Sequence, residues 1–226
     1  MKTVLSFGAH PDDIEIGCAG AEILLRQKGY KIIHVIMTCG EEGAIDIPKE
    51  ELAHKRENEA IAAANVIGVE KLLFLRYPDS LTGYDKAMKM QVISLIRQYA
   101  PDIIFTHATS DEFPDHKVVN QLVTSAITAA AGPWFADIKL NPHSVPEVLG
   151  YEVWHPMQHF QTVVSIGKVI DKKMEALACH QSQIKNVDYL SAAKGLAAYR
   201  GIMTMKSNYA EVFEVIKTDF FSLLPN

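Results

Sequence analysis

Three residues that can bind a metal ion or move a proton, His10, Asp12 and Asp13, lie within four positions near the start of the chain. They come directly after an apolar stretch at 4–7 that is typical of a buried strand. Because open α/β sheets bind their ligands at the carboxyl ends of strands, chemistry is expected at this turn. Pro11 disfavours a helical conformation at His10 and stiffens the turn. Such a turn can hold His10 and Asp13 toward one point and Asp12 toward another; the alternative is a polar loop whose aspartates cap the next helix.

A second polar cluster, Phe-Pro-Asp-His at 113–116, follows a later predicted strand. Together, His10, Asp13 and His116 would supply two imidazoles and one carboxylate. Zinc accepts this set of ligands, and a catalytic zinc site keeps a water molecule in its open position. Iron(II) or another divalent ion is also compatible, because ligand type alone discriminates poorly between these metals.

Such a site would not use the neighbouring carboxylates of Asp12 and Asp115 as metal ligands. Metal binding lowers the pKa of a water molecule to about 7, which makes hydroxide available at neutral pH. Asp12 is suited to act as a general base that takes the proton of this water and later hands it to a leaving amine. We interpret Asp115 as a helix cap or as a support for a ligating histidine, and not as a ligand. The residues alone therefore permit a metal-assisted hydrolase without singling it out.

Strands and helices alternate along the first 130 residues, which is typical of βαβ units in a parallel sheet. The patterns predict strands at 2–7, 32–37, 71–75 and 102–106 and helices at 17–28, 48–66, 84–99 and 116–130, the last with Asp115 as its N-cap. The C-terminal third is less regular, with strands predicted at 148–153, 162–166 and 211–216 and helices at 168–180 and 189–200. No linker divides the chain, so we expect one domain over residues 1–226.

The composition excludes several other classes of protein. Hydrophobic residues make up 48% and charged residues 22%, with a net charge of −5 and no block of like charge, which argues against a nucleic-acid surface. No apolar run approaches the roughly 18 residues needed to span a bilayer, and no basic amphipathic helix suggests a membrane surface. Without a signal segment the protein is expected in the cytoplasm. Three widely spaced cysteines predict free thiols and no disulfide framework.

The stretch His-Pro-Asp-Asp-Ile-Glu-Ile-Gly at 10–17 resembles the signature of the PIG-L/LmbE-like metal-dependent N-deacetylases, which act on N-acetylglucosamine-type sugars and related amides. The similarity covers nearly the whole chain. It continues through Thr-Cys-Gly-Glu-Glu-Gly at 38–43, Arg56, Tyr-Pro-Asp at 77–79, Thr-His at 106–107, Pro-Asp-His at 114–116, Tyr-Glu-Val-Trp at 151–154, His-Gln-Ser-Gln at 180–183 and Tyr-Ala-Glu-Val-Phe at 209–213.

The resemblance implies a Rossmann-like three-layer α/β sandwich with a mainly parallel sheet. It implies His10, Asp13 and His116 as ligands of Zn²⁺, with Fe²⁺ as the alternative ion, and Asp12 as the catalytic base. Arg56 would contact the substrate, because a guanidinium can fork onto sugar hydroxyls or an anion. The implied partner is a small molecule of the amino-sugar type. Members of the family are often oligomeric, so a homo-oligomer is an open expectation, although no stretch of this chain identifies an interface.

One position departs from the family pattern. Many members have a histidine where this chain has Phe113, and that histidine helps to stabilise the tetrahedral oxyanion. Losing one such donor typically costs about a hundredfold or more in rate. Three explanations stay open: another donor, with Tyr209 and His107 as candidates, replaces it; the substrate needs a hydrophobic wall; or the protein binds a small molecule and has little activity.

Several further residues have two interpretations each. His34 fits a sheet or core position, and His54 and His180 fit a helix surface. His143, His155 and His159 fall in the irregular third, where active-site walls often form. Glu41 and Glu42 fit either the mouth of the site or a solvated loop, and Trp154 fits either a sugar-stacking face or the core. The sequence thus predicts a zinc N-deacetylase for an N-acetylated amino sugar or glycoconjugate, with an amidase for another small linear amide (of the thiol-conjugate type) and a binding protein as alternatives.

Overall fold

The strands form one sheet in the order β3-β2-β1-β4-β5-β7-β6 in the computed structural model, which describes residues 1–219. The strands are β1 (Thr3–Gly8), β2 (Lys31–Thr38), β3 (Lys71–Tyr77), β4 (Ile103–His107), β5 (Glu147–Tyr151), β6 (Thr162–Ser165) and β7 (Ala210–Thr218). The helices are α1 (Asp13–Gly17), α2 (Ala19–Gln27), α3 (Lys49–Ile67), α4 (Lys86–Tyr99), α5 (Pro114–Ala130), α6 (Ile170–Leu177), α7 (Gln181–Ile184) and α8 (Tyr189–Met203).

The first five strands of the chain are parallel, and β7 pairs antiparallel with both β5 and β6. The chain moves outward from β1 to β3 and then returns to β4 on the other side of β1. Val4 of β1 pairs with Ile103 of β4, so Gly8 and His107 end neighbouring strands. This is a topological switch point, where α/β sheets hold their ligands. The predicted α/β class and mainly parallel sheet are confirmed.

Helices cover both faces of the sheet because the central strands are apolar on both sides. Leu5 and Phe7 of β1 pack in a core cluster with residues of α4 and α5, such as Val92 and Val119. Val4, on the opposite face of the same strand, packs in a second cluster with residues of α1 and α2. Such continuous apolar strands are typical of a parallel sheet buried between two layers of helices.

Two helix boundaries differ from the sequence prediction in ways that matter for the site. The first helix begins at Asp13 rather than at 17, and it is interrupted at Cys18 before α2. Helix α5 begins at Pro114, with Phe113 in the N-cap position and no side-chain cap. Asp115 is therefore not the N-cap, because proline favours the first helical position and the helix starts two residues earlier than predicted.

Other expectations have mixed outcomes. Within residues 1–219 no helix is long and apolar enough to cross a membrane. The cysteines are free, and Cys18 and Cys39 are buried. The short helix α7 was not anticipated, because the predicted helix 168–180 ends at Leu177 in α6. The single-domain organisation, the cytoplasmic location and the oligomeric state stay predictions.

Candidate metal centre

The two sequence clusters meet at the switch point. One ligand atom from each of His10, Asp13 and His116 lies within 4.8 Å of the others. Asp13 Oδ1 is 3.3 Å from His116 Nε2, and Asp13 Oδ2 is 3.5 Å from His10 Nδ1. Residues about a hundred positions apart are brought together because β1 and β4 are neighbours, and each carries one cluster at its carboxyl end.

The unpartnered atoms of this trio indicate what it could hold. Asp13 Oδ1 and His116 Nε2 are buried and have no hydrogen-bond partner. Buried polar atoms without partners are costly and usually have an explanation such as a bound ion. A divalent cation between these atoms would satisfy both, and two imidazoles with one carboxylate are a suitable donor set. The residues present therefore fit a metal ion.

Further carboxylates hold the outer nitrogens of the two histidines. His116 Nδ1 is 2.8 Å from Asp111 Oδ2, and His10 Nε2 is 3.1 Å from both Asp79 Oδ1 and Asp115 Oδ2. Carboxylates in this position fix the ring orientation and raise the basicity of a metal-ligating histidine. Each of these carboxylates could also join an alternative cluster that shares a histidine with the trio. Asp115 thus lies against a histidine of the trio, and its supporting role stays a prediction.

Asp79 and Asp111 were missed as site residues in the sequence. Asp79 follows β3 in a turn, and Asp111 follows β4. The available signal was their position after the carboxyl ends of parallel strands, where polar side chains gather. Glu41, which accepts the backbone N–H of Asp79, helps to hold that turn in place.

The charges of the trio depend on one another. Burial would lower the pKa of His116, but the Asp13 and Asp111 carboxylates outweigh it and raise the pKa to about 9. Burial likewise opposes protonation of His10, yet its neighbouring carboxylates hold the pKa well above its ordinary value. Burial disfavours the charged form of Asp13, whereas His116 and His107 hold its pKa well below the usual range. Without a cation, protons on the imidazoles balance the carboxylates.

Asp12 is held in an uncommon backbone conformation. Its φ is 111°, in the left-handed region that favours glycine, and the residue is 3% exposed. Burial raises the pKa of its carboxyl to about 6, with the Arg56 guanidinium opposing the shift. Non-glycine residues in this region cost about 1–3 kcal/mol and often occur at functional sites. Asp12 occupies the N-cap position of α1, but its side chain makes no capping hydrogen bond, which disfavours the simple capping interpretation.

Arg56 on α3 ties two of the predicted loops together. Its guanidinium donates to the carbonyl of Gly40 at 2.9 Å and to the carbonyl of Pro11 at 2.6 Å, and Nη2 lies 3.3 Å from Asp12 Oδ1. Gly40 has φ 67°, and a Cβ there would lie 2.2 Å from Arg56 Nη1. Only glycine therefore lets the 38–43 loop lie against the guanidinium.

A cavity of about 580 Å³ opens above these groups. It lies in the size range of small-molecule sites, about 300–1,000 Å³. Most of the charged side chains that line the cavity are carboxylates, and one is a guanidinium. Three aromatic side chains, of Phe, Trp and Tyr, also line it. The lining residues are His10, Asp12, Asp13, Glu42, Gly43, Arg56, Asp79, Ser80, Phe113, Asp115, Trp154, Gln183 and Tyr189.

Two residues predicted to contact the substrate do not line this cavity. His107 is fully buried beneath it, with its ring stacked on His116 at 3.9 Å and Nε2 accepting the backbone N–H of Ala9. Burial, together with the charge of His116, lowers the pKa of His107 to about 4. Tyr209 precedes β7, where its ring lies under Lys194 and packs with a core cluster of α2 and α6. His107 ends a central strand and Tyr209 packs on a helix layer, so neither reaches the cavity.

The remaining histidines fall in different places. His34 is buried, as predicted, and His54 is exposed. His180 is fully buried 3.6 Å from Glu15, so its predicted surface position is wrong; it ends the turn after α6 and packs inward. His143 hydrogen-bonds the carbonyl of Pro101, and His155 and His159 line a second cavity on the surface. His155 Nδ1 lies 3.1 Å from Asp111 Oδ1, on the same carboxylate that holds His116.

A three-layer α/β fold with a buried cluster of two imidazoles and a carboxylate at its switch point fits the class of metal-dependent hydrolases. The family model "PIG-L: GlcNAc-PI de-N-acetylase" matches residues 5–127. The chain belongs to this family, and the predicted resemblance is confirmed. The prediction of an amide hydrolase of the deacetylase class is confirmed at the level of the family.

Individual relatives extend the similarity over the whole chain. Diacetylchitobiose deacetylase of Thermococcus kodakarensis is 28% identical over 240 residues, covering 100% of this chain and 87% of the relative. The structure of N,N'-diacetylchitobiose deacetylase from Pyrococcus horikoshii, complexed with its inhibitor MPG, superposes with a TM-score of 0.86 at 26% identity, covering 99% of this chain and 89% of that one. A 4-oxalmesaconate hydratase of Pseudomonas putida KT2440 is 25% identical over 219 residues, covering 92% of this chain and 83% of the relative.

Proposed function

We propose that this protein is a zinc-dependent N-deacetylase that removes the acetyl group from an N-acetylated amino sugar or its conjugate. The observation that carries the proposal is the placement of Asp12 on the wall of the cavity, next in sequence to a buried trio whose unpartnered atoms fit a cation. His10, Asp13 and His116 would hold the ion. Family membership and the relatives named as deacetylases support the same reaction.

The reaction breaks the amide C–N bond and forms a C–O bond to water, giving acetate and an amine. A divalent ion held by His10, Asp13 and His116 would supply Lewis acidity toward the attacking water and the amide carbonyl. The Asp12 carboxylate takes the proton from this water and gives it to the leaving nitrogen. A pKa of about 6 leaves Asp12 unprotonated at neutral pH yet able to donate in the second step. Arg56 holds the Asp12 carboxylate in place and presents charge to the substrate.

The charge of the cavity wall favours an uncharged, hydroxylated substrate. Five carboxylates, of Asp12, Asp13, Glu42, Asp79 and Asp115, line the cavity. The cationic groups beside them are the Arg56 guanidinium, the His10 imidazole, whose pKa burial would lower but its carboxylate neighbours raise, and Lys49, which pairs with Glu42. Carboxylates accept hydrogen bonds from sugar hydroxyls, and they stabilise the ammonium group that deacetylation leaves behind. A substrate with several carboxylates would be repelled by the same wall.

Phe113 leaves the oxyanion without its usual histidine donor. The residue is 38% exposed, and its ring lies against that of His116 at 4.8 Å between centroids. Because His107 and Tyr209 do not reach the cavity, the side chains with donors that line it are those of His10, Arg56, Ser80, Trp154, Gln183 and Tyr189. The missing donor is expected to slow the reaction on a simple N-acetyl sugar and not to abolish it.

A hydratase is the second candidate, favoured by one specific observation. Addition of water to an activated double bond forms no tetrahedral intermediate at an amide carbon, so it would not use a histidine placed to stabilise that intermediate, and the Pseudomonas relative is named as a hydratase. The acidic wall argues against a substrate with several carboxylates, so we rank this reaction below deacetylation.

A substrate panel separates these functions. Protein depleted of metal and then loaded with Zn²⁺ or Fe²⁺ is assayed for acetate release from N-acetylglucosamine, N,N'-diacetylchitobiose and N-acetylethanolamine, beside loss of an unsaturated dicarboxylate. We expect acetate release from a sugar, dependent on metal and abolished in Asp12→Ala. Equal rates for the wild type and Asp12→Ala would overturn the proposal. Turnover of the dicarboxylate alone would assign the protein to the hydratases, and turnover of N-acetylethanolamine alone to the amidases of linear amides.

A further inference from the structure

Trp154 and Tyr189 form a continuous aromatic surface on the wall of the cavity, which we name the aromatic wall. Their ring centroids are 4.8 Å apart with an interplanar angle of 46°. Both side chains are half-buried, and both line the same cavity as Asp12. The inward edge of Trp154 packs on a core cluster while another part of the ring stays open to the cavity. One part of the Trp154 side chain is therefore buried in the core, and another part is free to contact a ligand in the cavity.

A buried ion pair fixes the two parts of this wall relative to each other. Glu152, two positions before Trp154, accepts two hydrogen bonds from Arg200 on α8, at 2.9 and 2.6 Å. It also accepts the backbone N–H of Met157, which closes the loop that carries Trp154. Tyr189 is the first residue of the same helix α8, so one ion pair connects the Trp154 loop to the helix of Tyr189.

The start of α8 is fixed as well. The Asp188 carboxylate caps the helix by accepting the backbone N–H of Ser191 at 3.0 Å. A capped helix start holds Tyr189 in one position, since the first turn cannot fray freely. The aromatic wall is therefore organised before any ligand arrives, which lowers the entropic cost of binding.

We propose that Trp154 and Tyr189 determine specificity by stacking on the C–H face of the pyranose ring of the substrate; this inference rests on the proposed deacetylase function. A pyranose has an apolar C–H face and a rim of hydroxyls. An aromatic surface with a negative face matches the apolar face of the sugar. The Glu42 carboxylate and the Ser80 hydroxyl on the same cavity wall match its hydroxyl rim. An acyclic amide offers no ring face to the aromatic wall, so the site selects a cyclic amino sugar.

The kinetic test compares Trp154→Ala and Trp154→Phe with the wild type on N-acetylglucosamine and N,N'-diacetylchitobiose. We expect Trp154→Ala to raise KM about tenfold with kcat nearly unchanged, because an aromatic contact of about 1.4 kcal/mol corresponds to a factor of ten. Trp154→Phe should restore most of the loss, and zinc content should stay equal in all variants. Trp134→Ala, which removes the other, exposed tryptophan of the chain, is the matched control. An unchanged KM in Trp154→Ala, or kcat and zinc content falling alike in both Trp154 variants, would overturn the proposal.

A binding test separates this inference from the deacetylase function. The chain has two tryptophans, so Trp134→Phe leaves Trp154 as the sole indole reporter. In the zinc-loaded double variant Trp134→Phe/Asp12→Asn, a saturable change in fluorescence is expected on titration with N,N'-diacetylchitobiose and none with N-acetylethanolamine. No change with the sugar contradicts the aromatic wall even if the wild type deacetylates it. A change with the sugar supports the wall even if the wild type releases no acetate, which would remove the proposed reaction alone.

Discussion

Asp13 Oδ1 and His116 Nε2 face each other across 3.3 Å in the buried interior, and neither atom has a hydrogen-bond partner. Asp111 occupies the other ring nitrogen of His116 at 2.8 Å. With Nδ1 taken by Asp111, the facing pair needs either a proton on Nε2 or a cation between the two atoms. A proton and a metal cation therefore compete for the position between Asp13 Oδ1 and His116 Nε2.

Metal binding should therefore release protons. The carboxylates around His116 raise its pKa to about 9 against the effect of burial, so at neutral pH this imidazole carries a proton that a cation must displace. Zinc affinity should rise with pH up to about that value. Calorimetric titration with Zn²⁺ in buffers of different ionisation enthalpy measures the released protons directly. His116→Gln should bind zinc much more weakly, and His159→Gln, which changes an exposed histidine, should match the wild type. Affinity that falls with rising pH would contradict this account.

Asp111 should control how tightly the ion is held. In Asp111→Asn the neutral amide can still meet His116 Nδ1, but the charge that makes the imidazole a strong ligand is lost. We expect zinc affinity to fall about 10–100-fold, the usual effect of removing such a partner. Competition with a chromophoric chelator measures the change. Glu112→Gln is the matched control, because this neighbouring carboxylate is exposed and its side chain bonds Lys117. Equal losses in both variants would show a general effect of charge.

Asp12 and Arg56 should determine the pH below which kcat/KM declines, which is the acid limb of the pH profile. A base with a pKa of about 6 is protonated as the pH falls through that value, so kcat/KM should decline below it. The Arg56 charge opposes the upward shift caused by burial, so Arg56→Met should move the limb to higher pH. Asp12→Asn should lower kcat about 10²–10⁴-fold at every pH while zinc content is kept. The measurement is the pH profile of acetate release in the wild type and both variants. A limb that moves to lower pH in Arg56→Met would refute this role of the guanidinium.

The sequence predicted the strands, the parallel sheet and the convergence of His10 with His116, because local patterns and one topological rule suffice for these features. Local patterns did not predict the second layer of the site. Asp79 reaches His10 only because β3 and β1 end at the same edge of the sheet. Trp154 and Tyr189 meet only through the packing of α8 against the loop after β5.

The errors have the same physical origin. His180 was placed on a helix surface, yet the chain turns after α6 and buries the ring near Glu15. Tyr209 lies in a segment that resembles the family, but its ring packs on the helix layer behind the sheet. In each case a long-range contact, which no local pattern encodes, decides where the side chain lies.

Phe113→His introduces the histidine donor that the family resemblance implies for many members. If the only effect of Phe113 is the loss of a hydrogen-bond donor to the oxyanion, kcat of Phe113→His on N-acetylglucosamine should rise by about tenfold or more. If Phe113 serves recognition, the variant should show no gain in kcat and a higher KM. Phe113→Leu is the matched control, since it keeps an apolar side chain without a donor. A gain in Phe113→Leu equal to that in Phe113→His would exclude the donor as the cause.

A buried pair outside the site should make stability depend on pH. His34 Nε2 lies 2.8 Å from Glu22 Oε2, and both residues are buried. Burial lowers the pKa of His34, but the Glu22 carboxylate outweighs this effect and raises the pKa above 6.5. The folded protein therefore holds this proton more tightly than the unfolded chain. The resulting stabilisation is complete below the unfolded pKa and is lost as the pH rises through the folded one.

Urea unfolding of the wild type and His34→Gln, from about pH 5 to about pH 9, tests this linkage. Removing one partner of a buried pair should cost about 3–5 kcal/mol at the acid end, and the difference between the two proteins should shrink as the pH rises. His54→Gln changes an exposed histidine and should follow the wild type throughout. A difference that stays constant with pH would mean that His34 stabilises the sheet by packing, because a packing contribution does not depend on the proton.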